Sequence, residues 1–470
     1  MSEDNANEID RFEIGGENLL SKVSMGFFQT SNDTLPLGTE TLPREELDDI
    51  RVRIGTLLKT ETVSFLLGAG ASVDCGGQLI GLVPLAVERD LHRKDTAGTT
   101  EAQVAQWLKV FYLAVSHSGG GDTTPVSEDE IRSRQQKLEG KEVKSLLANF
   151  EQVLATLHRW RSALPSTGGR LRVDSTSTVT LDANAEDLDE CLRRATRALA
   201  IACNLPTEDK EGGISTYKAF IRKLLTRPLN LKRVNIFTLN YDTLVEQASD
   251  ADGVVLLDGF VGTYRRVFRP ESYEQDLYFP AETTEGRVHR FDRVLHLYKL
   301  HGSITWRATK PSINNPYGIE SERFNLNDTQ PVLIYPTPAK YGETLGMPYA
   351  ELFRRFAAAV VRPQSVLFVI GYGFGDEHVN AIIRQALAVP SFTIVIVDPA
   401  PNSDFVKALR KQNDPRVWIS EGSRIGTFEG FVKEVLPDLR EEEILKKVVA
   451  THQSLSKKEN TGRGDMSDDN

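Results

Sequence analysis

Cysteine is scarce in this chain, and the few that occur lie far apart. The 470 residues include three, Cys75, Cys191 and Cys203. A disulfide framework needs an even set of cysteines, and a structural zinc site needs its ligands in short paired motifs. The sequence therefore excludes a disulfide-stapled fold and predicts no metal site.

Long apolar runs and an apolar leader are also lacking. No stretch reaches the ~18 uninterrupted apolar residues that a membrane-spanning helix needs. The chain begins MSEDNANEID, which is acidic and polar, whereas a secretory leader begins with basic residues and an apolar run. We expect a cytoplasmic protein with no membrane partner.

Positive charge is in deficit. Lys and Arg number 56 against 66 Asp and Glu, which gives a net charge of -10 at pH 7. A surface of this sign repels phosphate backbones, and no strong basic block offsets it, so we expect no direct nucleic-acid binding. Hydrophobic residues at 40% and charged residues at 26% are ordinary for a folded protein.

Short apolar and β-branched runs, each bounded by turn residues, predict buried parallel strands. Helical periodicity follows most of them, and the alternation of strand and helix predicts an α/β fold with a doubly wound, Rossmann-like parallel sheet. The predicted strands are 62–67, 233–239, 294–300, 365–370, 392–397 and 416–419, and the predicted helices are 42–60, 101–117, 141–160, 185–204, 214–226, 242–249, 376–388, 402–411 and 427–436.

The same pattern predicts the domain organisation. Residues 46–440 form the sheet domain, with a mostly helical insertion at 95–230, and residues 441–470 form a tail that is disordered at its end. Residues 1–45 form an N-terminal arm. A leader without regular structure is favoured for this arm over an oligomerisation strap that uses Phe27 and Phe28.

The first motif, Gly68-Ala69-Gly70-Ala71-Ser72, directly follows a predicted buried strand. Glycines at this place let the backbone turn sharply and approach a diphosphate, whose charge is met by N–H groups at the start of the next helix. A tight turn without any ligand explains the same residues about equally well.

The second motif, Thr238-Leu239-Asn240-Tyr241-Asp242, ends the next strand. Asp242 has an ordinary alternative role as a helix N-cap. Asn240 is harder to explain structurally, because a neutral amide at a strand end can hold a sugar hydroxyl or a water without the desolvation cost of a charge.

The third motif, Leu300-His301-Gly302-Ser303, also follows a strand. A histidine at the carboxyl edge of a sheet is well placed to act as a general base near neutral pH, although a structural hydrogen bond is the commoner role of a lone histidine. We interpret His289 and His296 as structural.

The fourth motif, residues 370–378 (IGYGFGDEH), is a glycine-rich turn between a strand and a helix. Its small residues permit a nucleotide to lie against the backbone, and Asp376 is expected to cap the helix. Asp398 ends the following strand, where an acidic group can accept the two hydroxyls of a ribose. A turn aspartate before Pro399 is the alternative.

All four motifs follow the carboxyl ends of different strands, and these ends meet at one edge of a parallel sheet. We therefore expect one crevice to collect them. Within it, a cavity between Gly70 and Gly371 is expected to enclose one dinucleotide.

Taken together, GAGAS, TLNYD, LHGS, IGYGFGDEHV and VDP, in this order, resemble the sirtuin-like NADase domains of bacterial anti-phage defence systems over about residues 60–440. The resemblance implies that residues 46–440 are an NAD-binding catalytic domain. The reaction it implies is hydrolysis of NAD+, as a substrate, to nicotinamide and ADP-ribose.

The resemblance also implies site roles. Asn240 and His301 would be catalytic, the former positioning a water and the latter acting as general base. Cofactor contacts would come from residues of all four motifs: Gly68, Ala69, Gly70 and Ser72 near the phosphates and ribose, Asp242 at the nicotinamide ribose, Gly371, Tyr372 and Phe374 near the adenosine, and Asp398 near its ribose.

Two departures argue against protein deacylation. Deacylating sirtuins carry Gln where this chain has Leu239, and they carry a four-cysteine zinc module that three scattered cysteines cannot build. A subunit that binds NAD or ADP-ribose without turnover is the principal alternative. A nuclease that uses Asp122 or Asp252 with a metal has no clustered carboxylate motif to support it.

By the same resemblance, the chain is expected to form a homo-oligomer. It is also expected to act beside a partner that senses infection, of which a HerA-type hexameric ATPase is one example. These two expectations come from the resemblance alone.

Overall fold

The computed structural model describes most of the sheet domain. The described residues are 10–20, 44–77, 83–92, 99–118, 127–138, 143–146, 150–164, 171–174, 180–205, 213–279, 289–323, 331–333 and 348–440. Phe27, Phe28, Asp122 and the predicted tail 441–470 lie outside them.

The strands are short, and most follow the apolar runs of the sequence. They are β1 Arg11–Ile14, β2 Glu17–Asn18, β3 Thr62–Leu67, β4 Leu171–Asp174, β5 Thr180–Ala183, β6 Asn235–Thr238, β7 Val255–Leu257, β8 Phe260–Val261, β9 Arg266–Phe268, β10 Tyr278–Phe279, β11 His289–Arg290, β12 Val294–Lys299, β13 Gly302–Ala308, β14 Ile319–Ser321, β15 Pro331–Leu333, β16 Ser365–Ile370, β17 Thr393–Val397 and β18 Val417–Glu421.

The helices alternate with the strands of the main sheet and also form a separate layer. They are α1 Arg44–Leu58, α2 Val83–His92, α3 Glu101–His117, α4 Glu128–Leu138, α5 Phe150–Ala163, α6 Ala185–Cys203, α7 Gly213–Leu224, α8 Leu244–Ala251, α9 Tyr349–Val360, α10 Glu377–Leu387, α11 Asp404–Gln412 and α12 Phe428–Gly430, with 3-10 turns at Ala69–Cys75 and Pro270–Glu274 and a π-turn at Phe431–Val435.

Nine strands form the main sheet, in the order β2-β1-β18-β17-β16-β3-β6-β12-β7. From β18 to β7 every neighbouring pair is parallel, whereas β1 pairs with β18 antiparallel. The chain starts the parallel part at β3, builds outward through β6 and β12, and then returns to the other side of β3 with β16. The predicted doubly wound sheet is confirmed, and its topological switch point lies between β3 and β16.

Alternate residues of each central strand enter different cores. In β3, Val63, Phe65 and Leu67 pack into the core beneath α1 and α7, while Leu66 packs into the opposite core beneath α9 and α10. Successive side chains of a strand point to opposite faces, so a sheet covered on both sides needs a continuous apolar run. This is why TVSFLL is uninterrupted.

Two further units are attached to the sheet. A five-stranded antiparallel sheet, β15-β13-β14-β9-β8, takes β8 and β9 from the chain before β12 and its other strands from the chain after it. Helices α2, α3, α5 and α6 form a helical layer with its own core. Within the described residues, no helix combines the length and apolar character needed to cross a bilayer.

The helices that form the helical layer are not the same as those of the predicted insertion 95–230. Helix α2 packs in the layer although it precedes residue 95, and α7 packs against the sheet although it lies within 95–230. The predicted helix 141–160 is wrong at its start, because 143–146 is irregular and α5 begins at Phe150. Helices α2, α4 and α9, strand β7, the pairs β4–β5 and β10–β11, and the five-stranded antiparallel sheet were not predicted.

The N-terminal arm is also more ordered than predicted. Residues 11–14 and 17–18 form β1 and β2, and Phe12 is completely buried. The interpretation as a leader without regular structure is wrong for this part of the arm. Its alternation of charged and apolar residues is too short to distinguish an edge strand from a loop.

Candidate functional site

Four loops meet at the carboxyl edge of the sheet around the switch point. They leave the strands β3, β6, β12 and β16, which are neighbours in the sheet. Each carries one of the four sequence motifs. In open α/β sheets, ligands bind outside the carboxyl ends of the strands where the strand order reverses, so this edge is the candidate site.

The glycine turns after β3 and β16 pack directly against each other. Gly68 N donates to Ile370 O at 2.9 Å, and Gly70 N donates to Gly371 O at 2.9 Å. A Cβ on Gly68 would lie 2.5 Å from Gly371 O, and one on Gly70 would lie 2.7 Å from Gly371 Cα. The glycines are therefore required by the contact between two backbones.

The expected cavity between Gly70 and Gly371 is wrong, because this contact leaves no room for a ligand. The N–H groups of Gly68, Gly70 and Ala71 all donate to backbone carbonyls, so they are engaged within the protein. Ala69, in contrast, is exposed on the outer side of the turn. A ligand at this edge has to lie over the joined turns.

Asn240 is held by a chain of hydrogen bonds that fixes the direction of its amide. Its Nδ2 donates to Gly68 O at 2.8 Å and to Ser72 Oγ at 3.0 Å, and Ser72 Oγ donates to Asp242 Oδ2 at 2.6 Å. A backbone carbonyl can only accept, so the nitrogen has to face it. Both amide hydrogens are used, and Asn240 Oδ1 is left to accept a hydrogen bond.

Ser72 and Asp242 form the buried part of this hydrogen-bond chain. Both are buried, with 4% and 8% of their surface exposed. Asp242 Oδ1 accepts from Leu244 N, the first N–H of α8, at 3.1 Å in addition to the bond to Ser72. The N-cap position itself is Thr243, so the predicted N-cap at Asp242 is wrong by one residue. Tyr217 OH donates to Ala71 O at 3.2 Å and lies 3.3 Å from Ser72 Oγ.

A buried lysine fixes the same loop from the β12 side. Lys299 Nζ donates to the backbone oxygen of Asp242 and to Glu246 Oε1 at 3.0 Å. Burial raises the pKa of Glu246, with the Lys299 charge opposing the shift. Burial also raises the pKa of the nearby Cys203 thiol to about 12, so this cysteine is not a reactive thiolate near neutral pH.

His301 lies next to Asn240 along the sheet edge. Lys299 and Thr238 are paired in register between β12 and β6. His301 and Asn240 each lie two residues after these partners, so they leave the sheet side by side. The ring centroids of Tyr241 and His301 are 6.4 Å apart. Gly302 turns the chain away from the sheet with a φ of +88°, a conformation that favours glycine.

The imidazole of His301 has a carboxylate partner. Its Nε2 lies 3.1 Å from Asp376 Oδ2. Asp376 also caps α10, since its Oδ1 accepts from His378 N at 2.9 Å and Val379 N at 3.4 Å. The sequence predicted the cap but not the contact with His301, because the two residues are distant in the chain.

In the turn after β16, the aromatic side chains are buried, whereas two of its three glycines face outward. Tyr372 and Phe374 are buried, each 7% exposed, and Phe374 stacks on Phe405. Gly373 and Gly375 are exposed, and no described atom lies within 4 Å of a Cβ placed on either. The surface that this turn presents is therefore backbone.

Asp398 lies at the end of β17 on the same edge. Its Oδ1 accepts from Ala400 N at 2.9 Å, which is the turn aspartate that the sequence left as an alternative. The side chain remains partly exposed, so the turn and a contact with a ligand are compatible.

His296 and His289 both lie on strands, the former as predicted and the latter on β11 instead of in a loop. His296 is half-buried in β12, but both of its ring nitrogens are buried without a hydrogen-bond partner among the described residues, and burial lowers its pKa to about 4. His289 is exposed on β11. In the described ranges, no three His, Cys, Asp or Glu side chains are grouped to hold a metal ion.

The helical layer reaches the site through two residues. Tyr241, next to Asn240, and Ile304, three residues beyond His301, are buried in the core of that layer. Ile304 N donates to Tyr241 O at 3.1 Å. The loops that carry Asn240 and His301 are thus covered by the helices on one side.

Sequence comparison finds a match to a known family model over part of the chain. Residues 234–422, fewer than half of the chain, match the family model of the SIR2-like domain. The match runs from β6 to β18 and includes Asn240, His301 and Asp376. It supports a sirtuin-like family for this part of the chain, while no curated protein matches the chain.

Comparison of structures finds a solved Sir2 homolog in complex with NAD. The two chains share 12% sequence identity with a TM-score of 0.34, and the alignment covers 83% of this chain and 94% of the other.

Proposed function

We propose that this chain is an NAD+ glycohydrolase that cleaves the bond between nicotinamide and ribose. One observation carries the proposal: Asn240 offers an oriented carbonyl oxygen beside the imidazole of His301, at the carboxyl edge of the sheet near its switch point. The SIR2-like match over residues 234–422 supports NAD as the ligand.

The reaction needs only a held ribose and an activated water. When the glycosidic bond breaks, its electron pair passes to the nicotinamide ring nitrogen and neutralises the positive charge there. An oxocarbenium-like centre remains at the anomeric carbon. A water oxygen bonds to this carbon and loses a proton, so the products are nicotinamide, ADP-ribose and H+.

Asn240 and His301 divide this work. Asn240 Oδ1 accepts a hydrogen bond from the water or from a ribose hydroxyl and so directs a lone pair of the water at the anomeric carbon. His301 takes the proton. Ser72 and Asp242 hold the Asn240 amide in the required direction, and they are positioning residues in this proposal.

The other contacts that we propose between NAD and the protein involve the groups that each turn exposes at the sheet edge. The ligand lies over the joined glycine turns, against Ala69 and the outer backbone of Gly373 and Gly375. Asp398 accepts the hydroxyls of the adenosine ribose. Gly68, Gly70, Gly371, Tyr372 and Phe374 build the surface rather than projecting into it.

We further propose that the enzyme is an NAD-depleting effector of anti-phage defence, a homo-oligomer, and the partner of a HerA-type hexameric ATPase. These proposals rest on the resemblance of the five motifs and on nothing in the fold.

The first prediction is that the purified chain releases nicotinamide from NAD, alone or with its candidate partner, as measured by chromatography. The variants Asn240→Ala and His301→Ala should each lose about 10²-fold or more of the rate, the size of a general-base or positioning contribution. His289→Ala, an exposed histidine of β11 that belongs to none of the four motifs, is the matched control and should keep the rate.

Other outcomes point elsewhere. NAD binding by calorimetry without any nicotinamide release, with or without partner, would favour the non-catalytic binding subunit. Loss of the acetyl group from an acetyl-lysine peptide only when NAD is present would favour a deacylase. Unchanged nicotinamide release in the Asn240→Ala, His301→Ala double variant would remove the mechanism.

A further inference from the structure

Asp376 uses its two carboxylate oxygens for different purposes. Oδ1 accepts the N–H groups of His378 and Val379 at the start of α10. Oδ2 lies 3.1 Å from His301 Nε2. Both side chains are largely buried, with 11% of Asp376 and 5% of His301 exposed, so solvent screens this contact little.

A carboxylate can only accept a hydrogen bond, whereas a neutral imidazole carries one N–H. The proton of a neutral His301 is therefore held on Nε2, which donates it to Asp376 Oδ2. We propose that Asp376 is the positioning residue of His301, which fixes its tautomer and ring orientation and stabilises the imidazolium formed when His301 accepts a proton.

The surrounding contacts keep Asp376 in place for this role. Tyr372 OH donates to Asp376 O at 3.0 Å and accepts from Asp376 N at 3.0 Å. Asn380 Nδ2 donates to Phe374 O at 2.9 Å and closes the turn from the helix side. The aspartate is thus fixed by its backbone as well as by its cap.

An apolar ring completes the environment. Phe353 of α9 packs beside His301, with ring centroids 6.3 Å apart, and beside His378, with centroids 4.5 Å apart. A dry surrounding strengthens the attraction between a carboxylate and an imidazolium. Asp376 can therefore assist a proton transfer to His301 without contacting the substrate.

Two substitutions of Asp376 distinguish its role as the cap of α10 from its role in fixing the tautomer of His301. Asn caps a helix about as well as Asp, so Asp376→Asn keeps Oδ1 on the helix and turns Nδ2, a donor, toward His301. The ring nitrogen that faces it must then accept, which moves the proton to Nδ1. Ser also caps the helix, but Asp376→Ser is too short to reach the ring and leaves the tautomer free.

The role in catalysis rests on the proposed NAD hydrolysis, and we expect a graded effect on it. Asp376→Asn should lower kcat by about 10²-fold or more, and Asp376→Ser by about tenfold, with KM for NAD and the melting temperature nearly unchanged. Glu377→Gln, at the exposed neighbouring position, should behave as wild type.

A second measurement tests the contact without relying on activity. In protein labelled with 15N-histidine, the long-range 15N–1H couplings report which ring nitrogen carries the proton, and His301→Ala assigns the signal among eight histidines. At about pH 8, where a histidine of ordinary pKa is neutral, we expect the Nε2–H form in wild type and the Nδ1–H form in Asp376→Asn.

The two failures can be told apart. A wild-type protein that releases no nicotinamide but shows the Nε2–H form contradicts the proposed reaction and retains the Asp376 contact. An Nδ1–H form in wild type overturns the inference, whatever the activity. Equal losses of kcat in Asp376→Asn and Asp376→Ser, together with lowered melting temperatures, also overturn it, since they indicate a structural cap alone.

Discussion

Gly371 and Gly373 stand two residues apart in one turn and have opposite environments. Gly371 has a φ of +64°, and a Cβ there would lie 2.5 Å from Ala71 N. Around Gly373 no described atom lies within 4 Å of the same position. The first glycine is required by packing, whereas the second is available to a ligand.

We expect Gly371→Ala to destabilise the protein by about 1–3 kcal/mol or more, because the left-handed backbone and the contact with the neighbouring turn both oppose a side chain. Gly373→Ala should change the free energy of unfolding by less than about 0.5 kcal/mol. Thermal and chemical unfolding of the two variants measures the difference.

Substitution of Gly373 also tests where NAD binds. If NAD lies over the outer face of the turn, Gly373→Val should weaken NAD binding in calorimetry while the melting temperature stays close to wild type. Undiminished NAD affinity in Gly373→Val would place the ligand away from this turn. Equal stability of Gly371→Ala and Gly373→Ala would contradict the packing described here.

The short N-terminal hairpin, β1 and β2, contributes to the packing of the main sheet. Strand β1 covers the edge of β18, and Phe12 enters the core and meets Trp418 edge to face. Asp10 accepts hydrogen bonds from Arg424 N at 3.0 Å and Ile425 N at 3.1 Å. The hairpin thus holds the loop after β18, beside Asp398.

Removing the Phe12 ring should cost about 3–5 kcal/mol, as for a buried aromatic cut back to alanine. We therefore expect Phe12→Ala to lower the melting temperature measurably in a calorimetric or circular-dichroism scan. Glu17→Ala, at an exposed position of β2, is the control and should unfold like wild type. An unchanged melting temperature for Phe12→Ala would show that the hairpin is dispensable.

The free energy of unfolding of the whole molecule depends on pH, and His296 makes the folded protein less stable as the pH falls. Its pKa is lowered from 6.5 to about 4, chiefly by burial, with Asp276 opposing and Arg233 adding to the shift. The unfolded chain therefore binds a proton between these two values. The contribution to stability is fully present above pH 6.5 and is lost as the pH falls toward 4.

This contribution is on the order of 3 kcal/mol, and it disappears if position 296 cannot titrate. We expect His296→Phe to show a flatter decline of the melting temperature between pH 6.5 and 4 than wild type. His289→Ala, an exposed histidine, should retain the wild-type slope. The same slope in His296→Phe would mean that His296 does not resist protonation in the folded protein.

Local sequence was enough for the six central strands of the main sheet, from β18 to β12, but not for β1, β2 and β7 at its edges. Strands 62–67 and 365–370 have the predicted bounds, because a strand buried on both faces needs an unbroken apolar run with glycine after it. Helix α3 also has its predicted bounds. The small antiparallel sheet was missed, since its two- to seven-residue strands have no comparable pattern.

The sequence by itself also determined which residue types stand at the carboxyl edge. Each strand is followed by a short motif, and parallel strands bring their ends together whatever the order of the strands. This placed Asn240 and His301 at one edge before any contact was known. It could not tell whether a glycine faces a ligand or another backbone.

Tertiary structure alone decided the pairings across the edge. Gly70 meets Gly371 because β3 and β16 are neighbours at the switch point, and Asp376 meets His301 because the turn after β16 reaches across to the loop after β12. A hydrogen bond between residues so distant in the chain depends on strand order and loop path. Neither is encoded in the local spacing of apolar and polar residues.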